Sequence, residues 1–214
     1  MKNAGKYADE LKSLLKRLLK DGKPLPLTKV EPVRAMVRAA MSFDVPDSKA
    51  DEAVKVVERE FVDLNELRVA TELELQSMIG VKYPLVEKRA AMTVQVLNGI
   101  FEKEGTLNLE RLTPLKKADS RQYVHDLPGM TPFLESAILM FCLDQAAMPL
   151  DDTTLAYLKA QGTVDDKSTL AEAQKVIESH LKMEELYELY ICLRRVVYLP
   201  APAVEATKKA KAKA

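Results

Sequence analysis

The chain has 214 residues and a mass of 23.9 kDa, enough for one large domain or two small ones. Lysine plus arginine and aspartate plus glutamate both number 32, which excludes an overall basic field announcing a nucleic-acid partner. Two cysteines, Cys142 and Cys192, exclude a disulfide framework and any four-cysteine zinc or iron–sulfur site built from this chain alone. No run of about 18 apolar residues exists, so no membrane span is expected. Met1 to Leu19 alternates lysine with leucine and does not read as a secretory signal. From Ala201 onward four lysines stand against Glu205, net +3, which leaves −3 for residues 1–200. This Lys/Ala tail reads as a solvated end or as a weak, salt-screened phosphate tether.

Helical periodicity dominates in chain order. Leu11, Leu14, Leu15, Leu18 and Leu19 form one apolar stripe, closed by Gly22 and Pro24. The stripe reads as a face docked on a core rather than a membrane-surface helix. Further helices are expected at about Glu31 to Ala40 and from an Asp47-Ser48 cap, the latter turning Val54, Val57 and Phe61 inward. Next come Glu72 to Met78, ending at Gly80, and Leu85 to Phe101 with Val86, Ala90, Val94, Leu97 and Phe101 on one side. Others follow at Ser120 to His125, from Pro132 to about Leu143, from Asp151 or Asp152, from a Ser168 cap to His180, and from Met183 to Val197. No stretch alternates with period two. The expected fold class is all-α, a bundle of about ten helices in two lobes. Its expected organisation is an N-terminal amphipathic helix (1–24), a helical domain (25–200) and a basic tail (201–214).

The most informative stretch is Leu127-Pro128-Gly129-Met130-Thr131-Pro132-Phe133. A helix ends, a tight Pro-Gly turn follows, and a new helix starts at once. Thr131 is a natural N-cap and Pro132 suits the first helical position, where its missing N–H is no loss. Gly129 can take positive φ and leave backbone amides free beside the positive end of a helix dipole, which makes an anion site.

With this hairpin the sequence resembles the helix-hairpin-helix of the endonuclease III-like DNA glycosylases. The likeness extends both ways. Thr71 to Gly80, Tyr83 and Lys88-Arg89-Ala90 resemble the family's helix, turn and long-helix start. Asn108 to Leu112 resembles the segment before its hairpin. Pro149-Leu150-Asp151-Asp152-Thr153-Thr154-Leu155 resembles its "hydrophobic-Asp-Thr-His-hydrophobic" segment. The likeness covers about Pro32 to Val197.

The resemblance implies a catalytic aspartate. Asp152 fits the local pattern, because a threonine follows it; Asp151 fits the spacing, 18 residues after Phe133. A carboxylate beside the sugar of a flipped-out nucleotide stabilises the positive charge that builds as the N-glycosidic bond breaks, and it can activate a nucleophile. Either aspartate also reads as an ordinary N-cap. Phe133 stands where bifunctional relatives carry a lysine, and a phenyl ring cannot form a Schiff base. Thr131 stands at the family's second hairpin glycine. The cluster-binding cysteines are absent, and Cys192 reads as a buried apolar residue. Phe43, in Met41 to Asp44, stands where the family inserts a side chain into DNA, and it reads either as a wedge or as core.

These residues set three readings. The first is a DNA-repair glycosylase-like protein that binds duplex DNA without sequence preference through Leu127, Pro128, Gly129, Met130 and Thr131. Lys117 and Arg121 would assist at the phosphates, and a base would be excised with no β-elimination. The second is a non-catalytic DNA-binding module of the same fold, and the third is an all-α interaction scaffold. Lys116, Arg194 and Arg195 read as solvated or phosphate-facing. His125 and His180 are too isolated for a metal site, so no metal and no other cofactor is expected. The expected location is cytoplasmic, nucleoid-associated if DNA is the partner. The oligomeric state is left open.

Overall fold

The computed structural model describes residues 4–198, so the tail expected at 201–214 lies outside the described residues. Eleven α-helices and one 3-10 turn are present among them, and no strand. In order they are α1 (Ala4–Leu19), α2 (Pro32–Ser42), α3 (Asp47–Glu60), α4 (Leu64–Val69), α5 (Glu72–Ile79), α6 (Val86–Glu104), α7 (Lys117–His125), α8 (Pro132–Phe141), α9 (Asp152–Ala160), α10 (Leu170–His180) and α11 (Met183–Tyr198), with the 3-10 turn at Glu110–Leu112. No helix among the described residues is long and apolar enough to cross a membrane.

The boundaries follow local chemistry. Thr71 and Glu74 form a reciprocal capping box at the start of α5, as do Thr169 and Glu172 at α10. The cap of α10 is therefore Thr169 and not Ser168, because its partner glutamate lies three residues further on. Helix α3 starts at Asp47 with Pro46 in the cap position and no side-chain cap; Asp47 and Ser48 are already inside the helix. The carboxylate of Asp47 faces Arg38 and Arg194 instead. Helix α4, capped by Asp63, is absent from the periodicity reading because six residues are too short to show a stripe. Of the expected inner face of α6, Val94 and Phe101 are only half-buried. Phe101 instead packs under the Arg68 guanidinium, 3.9 Å from the ring centroid.

Two cores result. The first joins α2 to α8, with Val33, Met36, Val37, Met41, Leu97, Ile100, Leu134 and Ile138 inside. The second joins α1 to α9, α10 and α11, and holds Leu11, Leu14, Leu15, Leu18, Leu158, Ile177, Leu189 and Leu193. The leucine stripe of α1 packs on α11 and α10. Removing one such fully buried leucine costs about 2–5 kcal/mol. Helix α8 belongs to both cores: Ile138 faces the first, and Met140 the second. Phe141 meets Tyr187 and Tyr190 edge-on at 6.1 and 5.5 Å. The N-terminus of α8 consequently opens on the cleft between the two cores.

Candidate functional site

The α7–α8 hairpin turns where the sequence places it. Gly129 adopts φ 73°, and Met130 N–H donates to Leu127 O at 3.1 Å to close the turn. Thr131 caps α8 by accepting from Leu134 N–H at 3.4 Å, with Pro132 in the first turn. The N–H groups of Gly129, Thr131 and Phe133 have no acceptor among the described residues. They and the helix dipole together make a site for an anion. The turn is clamped on α6. A Cβ on Gly129 would stand 2.8 Å from Gln95 Cβ, and one on Gly99 would stand 2.4 Å from Pro128 Cδ. The side chain of Leu127 is 3% exposed and serves the core, so its part in any contact is limited to backbone.

Below the hairpin lies a cavity of about 260 Å³, close to the lower limit of small-molecule pockets at about 300 Å³. Four segments wall it: Thr131 to Phe133, Leu150 to Asp152, the α10 residues Leu170, Ala171 and Gln174, and the α2–α3 loop at Phe43 and Asp44. The start of α6 completes it with Leu85, Lys88 and Met92. Both candidate aspartates line it, and their surroundings differ completely.

Asp151 is the N-cap of α9 and is 4% exposed. One carboxylate oxygen accepts Thr154 N–H at 2.9 Å. The other accepts Asp44 N–H at 3.0 Å, the Tyr198 hydroxyl at 2.7 Å and Arg194 Nη1 at 3.3 Å. Burial, and then its hydrogen bond to Asp151, pushes the Tyr198 hydroxyl well above the ordinary tyrosine range. Asp152 is the first residue of α9 and is exposed, and its carboxylate accepts no hydrogen bond among the described residues.

The α2–α3 loop is held by buried cations that sequence reading did not place. The last carbonyls of α2 need partners, since no helical N–H reaches them. Arg89, fully buried, donates to Ala40 O at 2.9 Å, Phe43 O at 2.5 Å and Pro84 O at 2.7 Å. Tyr83 Oη donates to Met41 O at 2.9 Å. Arg194 donates to Ser42 O at 3.1 Å and Val45 O at 2.6 Å. Positive charge at the C-terminal end of a helix is stabilising. Burial lowers Arg89 to about 10, which leaves it charged at neutral pH. Arg194 is thus a buried tie and not a surface cation, because the carbonyls of Ser42 and Val45 and the carboxylates of Asp47 and Asp151 all converge on it. Arg195 donates to Gly22 O at 3.0 Å.

Phe43 is likewise held inside the cleft and does not protrude as a wedge. It is 7% exposed, lies under the Arg89 guanidinium at 3.9 Å, and meets the Phe133 ring at 6.1 Å and 60°. Asp44, which the sequence reading did not single out, takes φ 51° and accepts both the N–H and the hydroxyl of Thr153, at 3.0 and 2.9 Å. Lys117 is exposed at the start of α7. Arg121 is half-buried and tied to Ala146 O at 3.1 Å, with Glu135 at 3.8 Å. Cys142 and Cys192 are buried in separate cores, and burial pushes the Cys142 thiol up to about 12. Two separated thiols do not fit an iron–sulfur cluster, which needs four thiolates.

No family profile and no curated protein matches the sequence. Solved structures do match the fold. Endonuclease III, trapped as a covalent intermediate with DNA, superposes with a TM-score of 0.67 at 13% identity, covering 88% of this chain and 84% of that one. The 8-oxoguanine glycosylase/lyase of Clostridium acetobutylicum, in complex with duplex DNA containing cytosine opposite 8-oxoG, gives 0.69 at 15% identity, covering 90% and 69%. A thermostable thymine-DNA glycosylase gives 0.63 at 11% identity, covering 92% and 90%. The chain therefore has the all-α helix-hairpin-helix DNA glycosylase fold.

Proposed function

We propose that this chain is a DNA-repair glycosylase-like protein that seats its α7–α8 hairpin on the backbone of duplex DNA and receives an extruded nucleotide in the cavity below. The observation that carries this reading is that one cavity runs from Thr131, the end of the amide-bearing turn, to the head of α9 at Asp151 and Asp152. A phosphate on the amides of Gly129 and Thr131 would fix the register without reading sequence. Exposed Lys117 would add a screened contact. A sugar drawn toward α9 would then meet Asp152, the carboxylate with unused lone pairs. Asp152 would stabilise the oxocarbenium-like charge or position a water. Attack from residue 133 is excluded by its phenyl ring.

Gln174 offers a way to read the base. Its amide N–H groups donate to Ser136 Oγ at 2.7 Å and Glu178 Oε1 at 2.8 Å, which leaves its carbonyl oxygen for the cavity. Such an acceptor favours a base that presents an N–H.

A second reading, a DNA-binding module without catalysis, is favoured by one observation: the Asp151 carboxylate is fully occupied by structural partners. The test is a panel of duplexes, each bearing one lesion (uracil, an oxidised pyrimidine, 8-oxoguanine opposite adenine, an alkylated purine). Released base is measured directly, and retention is followed against salt. Base release that disappears in Asp152→Asn supports the first reading. Salt-dependent retention with no release supports the second, and no retention removes both.

A further inference from the structure

Another cavity, of about 210 Å³, opens where the two cores meet and shares no wall residue with the one beside α9. Ala35 and Ala39 of α2, Ala137 and Phe141 of α8 and Ile191 of α11 form its apolar walls. Tyr190 of α11 interrupts them. It is 6% exposed, and its hydroxyl makes no hydrogen bond among the described residues. That hydroxyl is not sealed off, so the cavity is its outlet. Burial pushes it up to about 12, which keeps it a donor at neutral pH. Phenylalanine would fill the same space without stranding a polar group, so packing does not account for a tyrosine here. Asp47 and Arg38 form the polar side of the cavity. Asp47 Oδ1 faces Arg194 at 3.0 Å and Arg38 at 3.6 Å, while its Oδ2 has no partner among the described residues. Arg38 also meets Asp51 at 2.9 Å. Ser42 turns its hydroxyl back onto Ala39 O at 3.1 Å.

We propose that this cavity binds a small, neutral ring carrying an amide, whose carbonyl accepts from Tyr190 Oη and whose N–H donates to Asp47 Oδ2. The inference stands apart from the duplex-DNA reading above. Charge selects a neutral ligand. Each guanidinium here already faces a carboxylate, and Asp47 already faces two guanidiniums. Neither an anion nor a cation would find a free counter-charge on leaving water. An amide brings one acceptor and one donor without charge, which matches the free hydroxyl donor and the free carboxylate oxygen. Volume selects the size. About 210 Å³ lies below the usual range of small-molecule pockets, which starts near about 300 Å³, and leaves room for a single ring. The three alanines keep the facing surfaces of α2 and α8 low, and a flat ring lying between them would meet Phe141.

The experiment is an NMR chemical-shift titration of the full chain with three probes that share one ring and differ in charge: benzamide, benzoate and benzylammonium. The expected result is a saturable shift at Ala39, Phe141 and Ile191 with benzamide alone. Tyr190→Phe should weaken benzamide binding roughly tenfold, the loss of about one hydrogen bond. The same variant should melt at the wild-type temperature or above, because its hydroxyl has no protein partner to lose. Ala35→Leu, at a half-buried position in the wall, should abolish the shift by filling the space. Absence of any saturable shift overturns the proposal. Equal binding of all three probes overturns it too, since the cavity would then be an apolar hole without a polar preference. Tighter binding of benzoate or benzylammonium overturns the neutral ligand. Benzamide binding unchanged in Tyr190→Phe, or a lower melting temperature in that variant, removes the hydroxyl from the site and overturns the proposal as well.

Discussion

Asp151 and Arg194 form an ion pair at 3.3 Å in which each side chain is 2% exposed. The pair is not isolated. Arg194 also reaches Asp47 at 3.0 Å and the carbonyls of Ser42 and Val45, and Asp151 also holds the N–H of Asp44. The loop that carries Phe43 and Asp44 into the cavity is thus fixed by charges contributed from α9 and α11. Two desolvated charges are tolerated here because nearly every donor and acceptor is satisfied.

The first prediction concerns that pair. Arg194→Met leaves the Asp151 carboxylate buried without its cation and the Ser42 and Val45 carbonyls without a donor. Removing one partner of a buried pair costs about 3–5 kcal/mol. Urea denaturation of wild type and variant should show a loss of unfolding free energy of that size, seen as a lower midpoint at unchanged slope. A change below about 0.5 kcal/mol, the ordinary range for a surface substitution, would mean the pair does not hold the loop.

The two aspartates should separate cleanly. Asp152 is exposed and unpaired, so Asp152→Asn should alter stability by about 0.5 kcal/mol, its share of the helix-dipole interaction. It should reduce base release by roughly 10²-fold or more. Asp151→Asn should instead lower the unfolding temperature, since the amide cannot replace a carboxylate facing Arg194 and Tyr198. Reversed results would move the chemistry to Asp151.

Gly129→Ala should damage the hairpin in two ways. The residue sits at φ 73°, and its new Cβ would stand 2.8 Å from Gln95 Cβ and 3.1 Å from Met92 O. Backbone strain of this kind costs about 1–3 kcal/mol, and the contact adds to it. Gly80→Ala is the control, because its φ is 103° but nothing lies within 4 Å of the built Cβ. Calorimetry should therefore rank Gly129→Ala below Gly80→Ala, and only Gly129→Ala should weaken retention on duplex DNA.

The hairpin also carries a titrating group. His125 Nδ1 lies 2.9 Å from Glu135 Oε2, and that hydrogen bond, with the charge of Glu135, raises the histidine above its ordinary value. A group raised in the folded state stabilises it fully below the unfolded value of about 6.5 and loses that contribution as pH rises through the folded value. The contribution is small at an exposed site. An NMR titration should place His125 above its ordinary value, and Glu135→Gln should bring it back down. An unchanged titration in that variant would show that Glu135 is not the cause.

Much of the fold was legible in the residues themselves. The leucine stripe of α1, the Thr131-Pro132 start of α8, the stop at Gly80 and the hairpin turn at Gly129 depend on interactions within about four positions in the chain. Such interactions leave a local pattern, and the structure places these features where that pattern does. Six-residue α4 left no pattern because it completes too few turns.

What the chain alone determined is therefore its helices, its caps and one hairpin beside a conspicuous pair of aspartates. What only tertiary structure decided is the environment of each side chain at the cavity. Asp44 reaches Asp151 across 107 positions, and Arg194 reaches Asp151 across 43 and Ser42 across 152. The same step exposed Lys88 to the cavity and turned the neighbouring Arg89 into the core. Adjacent residues such as Asp151 and Asp152 look equivalent in sequence. Helix geometry separates them: a cap residue faces its own helix end and the packed core, while the residue after it begins a turn that points to solvent.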